Sequence, residues 1–159
     1  MTNVIDPSFK HGSNFKIGNF CIIEKGVVVG DNVTIENYVL LKEGTKIGNN
    51  VLVDSYVRSS GDNSIGDNVV LRYGVTIAKG VHIENNVFIS PNVMTVYSTH
   101  QHYGVSGTVI GNGAFIGTAA TIGPGVIIGK DVVIGAMAYA TRDCIEKGIY
   151  IGIPAKKKT

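Results

Sequence analysis

Ile65-Gly66-Asp67-Asn68-Val69-Val70-Leu71-Arg72-Tyr73-Gly74-Val75-Thr76-Ile77-Ala78-Lys79-Gly80-Val81-His82-Ile83 is the stretch that decides the fold. An aliphatic residue returns every sixth position: Ile65, Leu71, Ile77, Ile83. Four residues after each stands a second β-branched position: Val69, Val75, Val81, then Val87. Six is not a multiple of the helical period, and Val, Ile and Gly are poor helix-interior residues. Alternation of period two lasts only a few residues before Gly, Asn or Asp interrupts it. Each hexad therefore reads as a short strand and a sharp corner, with the aliphatic side chain inward.

The beat extends in both directions. Towards the N-terminus it runs back through Ser59, Val53, Ile47, Leu41, Ile35, Val29 and Ile23 to Ile17, with Ser59 the one break. Towards the C-terminus it reaches Ile89, pauses, and resumes in a new phase at Ile110, Ile116, Ile122, Ile128 and Ile134. A slower period of 18 is superposed: Gly12-Ser13-Asn14, Gly30-Asp31-Asn32, Gly48-Asn49-Asn50, Gly66-Asp67-Asn68, Glu84-Asn85-Asn86. Asn, Asp and Gly tolerate positive φ at low cost, so this is a repeated corner. Three hexads then make one turn, and the chain is expected to be a parallel β-solenoid of roughly seven coils, about 34 Å tall. Cys21 falls on an inward position, and nothing pairs it with Cys144.

The next corner, Gly111-Asn112-Gly113, comes 27 residues after Glu84, and one more follows 18 later at Gly129-Lys130-Asp131. One coil thus carries nine extra residues, expected at about 95–107. Solenoids display such insertions as loops, often on the binding face. This one holds Tyr97, His100, His102 and Tyr103, two of the four histidines and two of the seven tyrosines of the chain.

The 159 residues suit a single domain, 1–159, with a C-terminal tail from about 142. The 21 glycines fall on period and signal corners, not disorder. A net charge of +2, thinly spread, argues against a nucleic-acid partner. No apolar run approaches a membrane span, and the first residues lack a signal-peptide pattern, so a cytoplasmic protein is expected. Basic residues gather late, at Arg142, Lys147, Lys156, Lys157 and Lys158. They read as a cap on the open end of the stack or as a phosphate-binding cluster.

The hexads, the looped-out coil with His100, the run from Ile116-Gly117-Thr118 to Gly125-Val126, and the closing Gly152-Ile153-Pro154-Ala155 resemble the hexapeptide-repeat acyltransferases. Ile89-Ser90-Pro91-Asn92-Val93 before the loop is similar to the sugar and nucleotide-sugar acetyltransferases. The resemblance implies an all-β, left-handed parallel β-helix that assembles as a homotrimer with sites between subunits. It implies acetyl transfer from acetyl-CoA to a sugar hydroxyl or amine, with a nucleotide-linked amino sugar as the leading acceptor and no metal. His100 matches the loop histidine that serves as general base, a role an imidazole can fill by taking the acceptor's proton. Thr118 matches the position whose backbone N–H faces the thioester, Ala136 the contact to the pantetheine arm one coil higher, and Thr141-Arg142 the pair near the nucleotide end of CoA.

Two departures bear on the acceptor. Galactoside-type members carry an asparagine one coil below the loop, where this chain has Arg72-Tyr73-Gly74. Arg72 and Tyr73 could contact an anionic or nucleotide acceptor by a charge-assisted bond and a stacked ring. The proline that usually follows the loop histidine is Gln101, so His102 remains a competing base or, with Tyr97, a substrate contact. Some amino-sugar acetyltransferases manage without a protein base. The second class the fold can host is a zinc hydratase of the γ-carbonic anhydrase type, for which His82, His100 and His102 would be the ligand trio. The spacing that class uses is absent. The third is a purely structural solenoid.

Overall fold

The computed structural model describes residues 2–98, 100–101 and 107–158. Each hexad forms a two-residue strand and a two-residue turn, and in almost every strand the second residue is buried while the first faces outward. That second residue is the six-beat of the sequence. Below the insertion, pairing between coils is parallel and steps by 18 residues, as in Arg58↔Thr76 and Ser59↔Ile77.

The strands stack into three sheets, giving a parallel β-helix. Sheet A has eight strands, from Val4–Ile5 to Tyr139–Ala140; sheet B has seven, from Lys10–His11 to Ile127–Ile128; sheet C has nine, beginning at Lys16–Ile17. The eight rungs of sheet A are one more than the corner motifs predict. Val4–Ile5 already pairs with Ile22–Ile23, although its own coil has no glycine-led corner before Gly12. The interior is one column of aliphatics in which Ile23, Leu41, Leu71, Ile77, Ile83, Ile89 and Ile110 are essentially inaccessible. Burying each contributes roughly 1.5–3 kcal/mol. Because each coil touches only its neighbours, stability accumulates along the stack.

Ser59, the exception in the beat, is also buried. Its hydroxyl bonds the hydroxyl of Thr45 and the carboxamide of Asn63, and Asn63 donates to the Ala78 carbonyl. The Ala78 N–H in turn donates to Thr95 Oγ1 at 2.7 Å. The core thus exchanges aliphatics for a hydrogen-bonded polar node at the corner between sheets A and B, with each hydroxyl and amide partnered as burial demands.

Nine residues beyond the normal step separate Met94–Thr95 from Val109–Ile110, since His82 pairs with Val109, 27 residues on. The insertion therefore leaves the stack at the A-to-B corner. At the other end, residues 142–158 continue the structure where the sequence suggests a short tail. Ile149–Ile151 extends sheet C beside Val133–Ile134, and Lys156–Lys157 folds back antiparallel on it. The step from Val133 to Ile149 is 16, so the 18-residue period that reveals the other rungs misses this one. Tyr150 closes the top of the core, its hydroxyl donating to the Glu146 carbonyl at 3.0 Å. Among the described residues no helix is long and apolar enough to cross a membrane.

Candidate active site

Three corner columns run up the helix, and the described candidate residues other than His82 occupy the two that flank sheet A. On the C-to-A corner, backbone bonds tie successive coils: Asn92 N–H to Tyr73 O, Ala119 N–H to Pro91 O and Met137 N–H to Thr118 O, each 2.9 Å. Tyr73, Pro91, Thr118 and Ala136 consequently stand in one column, one coil apart. Sequence reasoning placed Tyr73 on the acceptor and Thr118 and Ala136 on the donor, and the structure aligns all three on one edge.

The lower coils of this column show what is distinctive about its top. There the first turn N–H is capped by a side chain: Asn19 N–H by Asn37 Oδ1 at 2.9 Å, Asn37 N–H by Ser55 Oγ at 3.3 Å. Above Thr118 stands Ala136, which has no side-chain acceptor. Among the described residues no acceptor lies on the N–H of Thr118 or of Ala136. Both residues are exposed, so two N–H groups one coil apart are left without a protein partner among the described residues. Gly117 makes the turn possible, since a Cβ there would lie 2.5 Å from the Ala136 nitrogen.

Arg72, beside Tyr73, has its Nε 3.5 Å from Asp54 Oδ2 one coil below. Tyr73 is 48% exposed, and its ring is tilted 56° from that of Tyr56 beneath it. It crowns a ladder that includes Phe20, Tyr38 and Tyr56, with ring centroids 4.9, 4.9 and 5.3 Å apart. Sequence reasoning missed this ladder, although Phe20, Tyr38 and Tyr56 recur at the 18-residue period.

The A-to-B corner carries the insertion. His100 is exposed; His102 lies outside the described residues. Below the insertion Tyr97 joins Ser60, Thr76, Lys79, Met94 and Thr95 around a cavity of ≈ 360 Å³. Lys79 was not foreseen, because its relevance depends on which corner the insertion leaves. Its ammonium lies 3.1 Å from Asp62 Oδ2, and that hydrogen bond holds it above the usual lysine range. Near the top, Thr141 and Arg142 share a cavity of ≈ 330 Å³ with Pro154, Ala155 and Lys156. Lys157 is turned aside by an ion pair to Glu146 at 2.9 Å.

The structure thus groups the candidates into two sets on opposite edges of sheet A. One hexad separates adjacent corners, roughly 17 Å at the rise of an extended strand. His82 belongs to neither set: it faces outward from sheet B, its Nδ1 3.1 Å from Ser64 Oγ. Among the described residues no group of three His, Cys, Asp or Glu side chains converges as metal ligands would.

Two family models match this architecture. The bacterial transferase hexapeptide model, of six repeats, matches residues 10–43 and 107–142, and the hexapeptide repeat of succinyl-transferase matches 61–91. The chain is a hexapeptide-repeat protein. No curated protein matches it in sequence. Among solved structures, this hexapeptide-repeat chain is similar to a maltose O-acetyltransferase from Clostridium difficile 630, at 28% identity and TM-score 0.62 over 68% of this chain and 65% of that one. A perosamine N-acetyltransferase variant from Caulobacter crescentus, in complex with CoA and GDP-perosamine, shares the fold at 23% identity and TM-score 0.62, over 100% of this chain and 57% of that one. A UDP-N-acetylglucosamine acyltransferase from Campylobacter jejuni shares it at 19% identity and TM-score 0.75, over 99% and 72%. The chain therefore spans less than two thirds of the Clostridium and Caulobacter proteins.

Proposed function

We propose that this chain is an acyltransferase that moves the acetyl group of acetyl-CoA to a sugar, with the amine of a nucleotide-linked amino sugar as acceptor. The open N–H groups of Thr118 and Ala136, stacked on one edge, carry the reading. A backbone N–H aimed at a thioester oxygen stabilises the charge that develops as the carbonyl becomes tetrahedral. Ala136, one coil up, holds the pantetheine amide, and Thr141 and Arg142, on the A-to-B edge of the copy that faces it, receive the phosphate end of CoA.

The acceptor amine attacks the thioester carbon, forming the new C–N bond. His100 takes the proton that the amine sheds, and collapse of the tetrahedral adduct expels the CoA thiolate, which is then protonated. Arg72 and Tyr73 recognise the nucleotide part by charge and by stacking. Tyr97 and His102 border the acceptor from the insertion. The same residues serve an O-acetylation if the acceptor is a hydroxyl, with a heavier demand on the base.

One protomer puts His100 and Thr118 on different edges of sheet A. The site is complete only if the insertion of one copy covers the C-to-A edge of another, which a closed homotrimer achieves three times. The setting is cytoplasmic, where acetyl-CoA is made and used. Purified chain mixed with acetyl-CoA and a panel of nucleotide-linked amino sugars should release free thiol with one or more acceptors. Light scattering should give three times 16.8 kDa. Absence of thiol release with every sugar offered, or full activity in a monomer, overturns the reading.

A further inference from the structure

The ladder Phe20, Tyr38, Tyr56 and Tyr73 poses a problem for a lone protomer. Phe20, Tyr38 and Tyr56 have φ of 59, 59 and 63°, a conformation that bulky side chains rarely adopt and that costs about 1 kcal/mol or more each. The rings are also 41, 46, 42 and 48% exposed. They do not offer faces to a ligand, because the lower three stack on one another at interplanar angles of 8 and 14°. What they offer is a ridge of ring edges, three of the four carrying hydroxyls.

The A-to-B corner of the same four coils has the opposite relief. Glycines with positive φ at Gly26, Gly44, Gly61 and Gly80 leave its turns bare. Cavities of ≈ 410 and ≈ 500 Å³ share Glu24, Lys25 and Glu43 and so merge into one groove. Glu24, Glu43 and Asp62 line it, with Lys25, Lys42 and Lys79 beside them. Carboxylates suit aromatic edges, which carry the positive end of the ring quadrupole, and they accept from tyrosine hydroxyls. Lysine stems pack along apolar surface. The polar node of Ser59, Asn63 and Thr95 pins the backbone beneath this groove.

We infer that the aromatic ridge of one copy seats in the A-to-B groove of a second copy of this chain. The inference rests on the shared-site reading above, which already requires these two edges to meet. Level-matching supports it: Tyr38 and Glu43 belong to the same coil, as do Tyr56 and Gly61. The insertion leaves the groove edge one coil above Lys79, and Thr118 stands two coils above Tyr73. A copy that lays its insertion across its neighbour's upper C-to-A edge therefore brings ridge and groove together just below.

Engineered cysteines test this directly. Tyr38 and Glu43 of one chain flank sheet A at roughly 17 Å, far beyond the Cα limit of about 7 Å for a disulfide, so a bond can form only between copies. Cys21 and Cys144 are buried and do not interfere. The Tyr38→Cys, Glu43→Cys double variant should oxidise to a covalent three-chain species on a non-reducing gel, and each single variant should not. Tyr38→Cys with Asn49→Cys, which pairs the ridge with the third corner of the same coil, should give none. Separately, Tyr38→Asn with Tyr56→Asn should raise the concentration at which the assembly dissociates roughly tenfold or more, as loss of central aromatic anchors does. A trimer that forms without the cross-link in the folded double variant overturns the ridge-in-groove contact and leaves the acetyltransferase reading standing. A protein that is monomeric and active overturns both.

Discussion

The B-to-C corner and the C-to-A corner have the same backbone and opposite chemistry. On the first, Asn14, Asn32, Asn50, Asn68 and Asn86 take φ of 52–58°, and each carboxamide donates to the next at 2.8–3.2 Å. A second rail lies beside it, with Asp31 N–H donating to Asn49 Oδ1 and Asn49 N–H to Asp67 Oδ1. On the second, Phe20, Tyr38 and Tyr56 take the same φ with no such preference for it. Both ladders change character where a glycine takes the positive-φ slot, at Gly113 and at Gly74, and the ladder residue steps back to Asn112 and Tyr73. The coil geometry demands only a left-handed corner. Asparagine meets that demand at low cost and spends its side chain on the coil above, so this corner is structural. Where the chain keeps costlier or barer residues at the same φ, on the corners that flank sheet A, the side chains or freed N–H groups are available to something outside the protomer.

That contrast fails most visibly if substitutions on the sheet-A edges leave activity intact. The largest expected effect is at His100. Removing the base in His100→Ala should lower kcat by roughly 10²–10⁴ with little change in the KM for acetyl-CoA. His102→Ala should do much less, and a reversal of that order moves the base two residues along the insertion. If neither matters, the acceptor amine attacks unaided.

Gly117→Ala comes next. The added Cβ meets backbone of the next coil, including the Ala136 nitrogen, and neither side can move cheaply. Overpacking of this kind costs about 1–3 kcal/mol, and here it also displaces the N–H groups of Thr118 and Ala136. Thermal denaturation should show the loss of stability, and kinetics a raised KM for acetyl-CoA. An unchanged KM at lowered Tm would mean that those N–H groups do not touch the donor.

Asn50→Ala sharpens the other arm. It removes one link of the carboxamide ladder and leaves a residue that dislikes positive φ, for a loss of about 1–2 kcal/mol. Neither kcat nor KM should move, since this corner faces away from sheet A. A kinetic effect would show that the asparagine column is more than structural.

Much of this was legible in the sequence because strict repetition writes structure plainly. Ile65, Leu71 and Ile77 announce the inward beat, the Asn32, Asn50, Asn68 and Asn86 corners announce a recurring turn, and the 27-residue step from Glu84 to Gly111 measures the insertion. The terminal rungs were hidden because Val4–Ile5 and Ile149–Ile151 lack the corner motif or the period. The Tyr73 rung was obscured by its one-residue slip. The open N–H groups of Thr118 and Ala136 depend on what an alanine fails to reach, and the Lys79–Asp62 pair on which corner the insertion leaves. Neither is a property of any single hexad.

The smallest expected effect lies at the top of the stack. CoA carries its charge at the 3′-phosphate and pyrophosphate, far from the thioester. If the thioester sits at Thr118 and the pantetheine arm passes Ala136, the phosphates reach the last coil, where Arg142 and Lys156 of the facing copy line one cavity. Both side chains are exposed, so salt screening limits each contact to about 1 kcal/mol. Such a contact binds ground state and transition state alike. Arg142→Ala should therefore raise the KM for acetyl-CoA several-fold, leave kcat nearly unchanged and lose its effect in high salt. Lys156→Ala should behave similarly, and Lys157→Ala should do less because Glu146 already neutralises that ammonium. Dephospho-CoA isolates the phosphate: the parent should prefer CoA over it, and Arg142→Ala should prefer it less. If the variant discriminates between the two as the parent does, Arg142 is part of a solvated cap, and the donor's phosphates lie elsewhere.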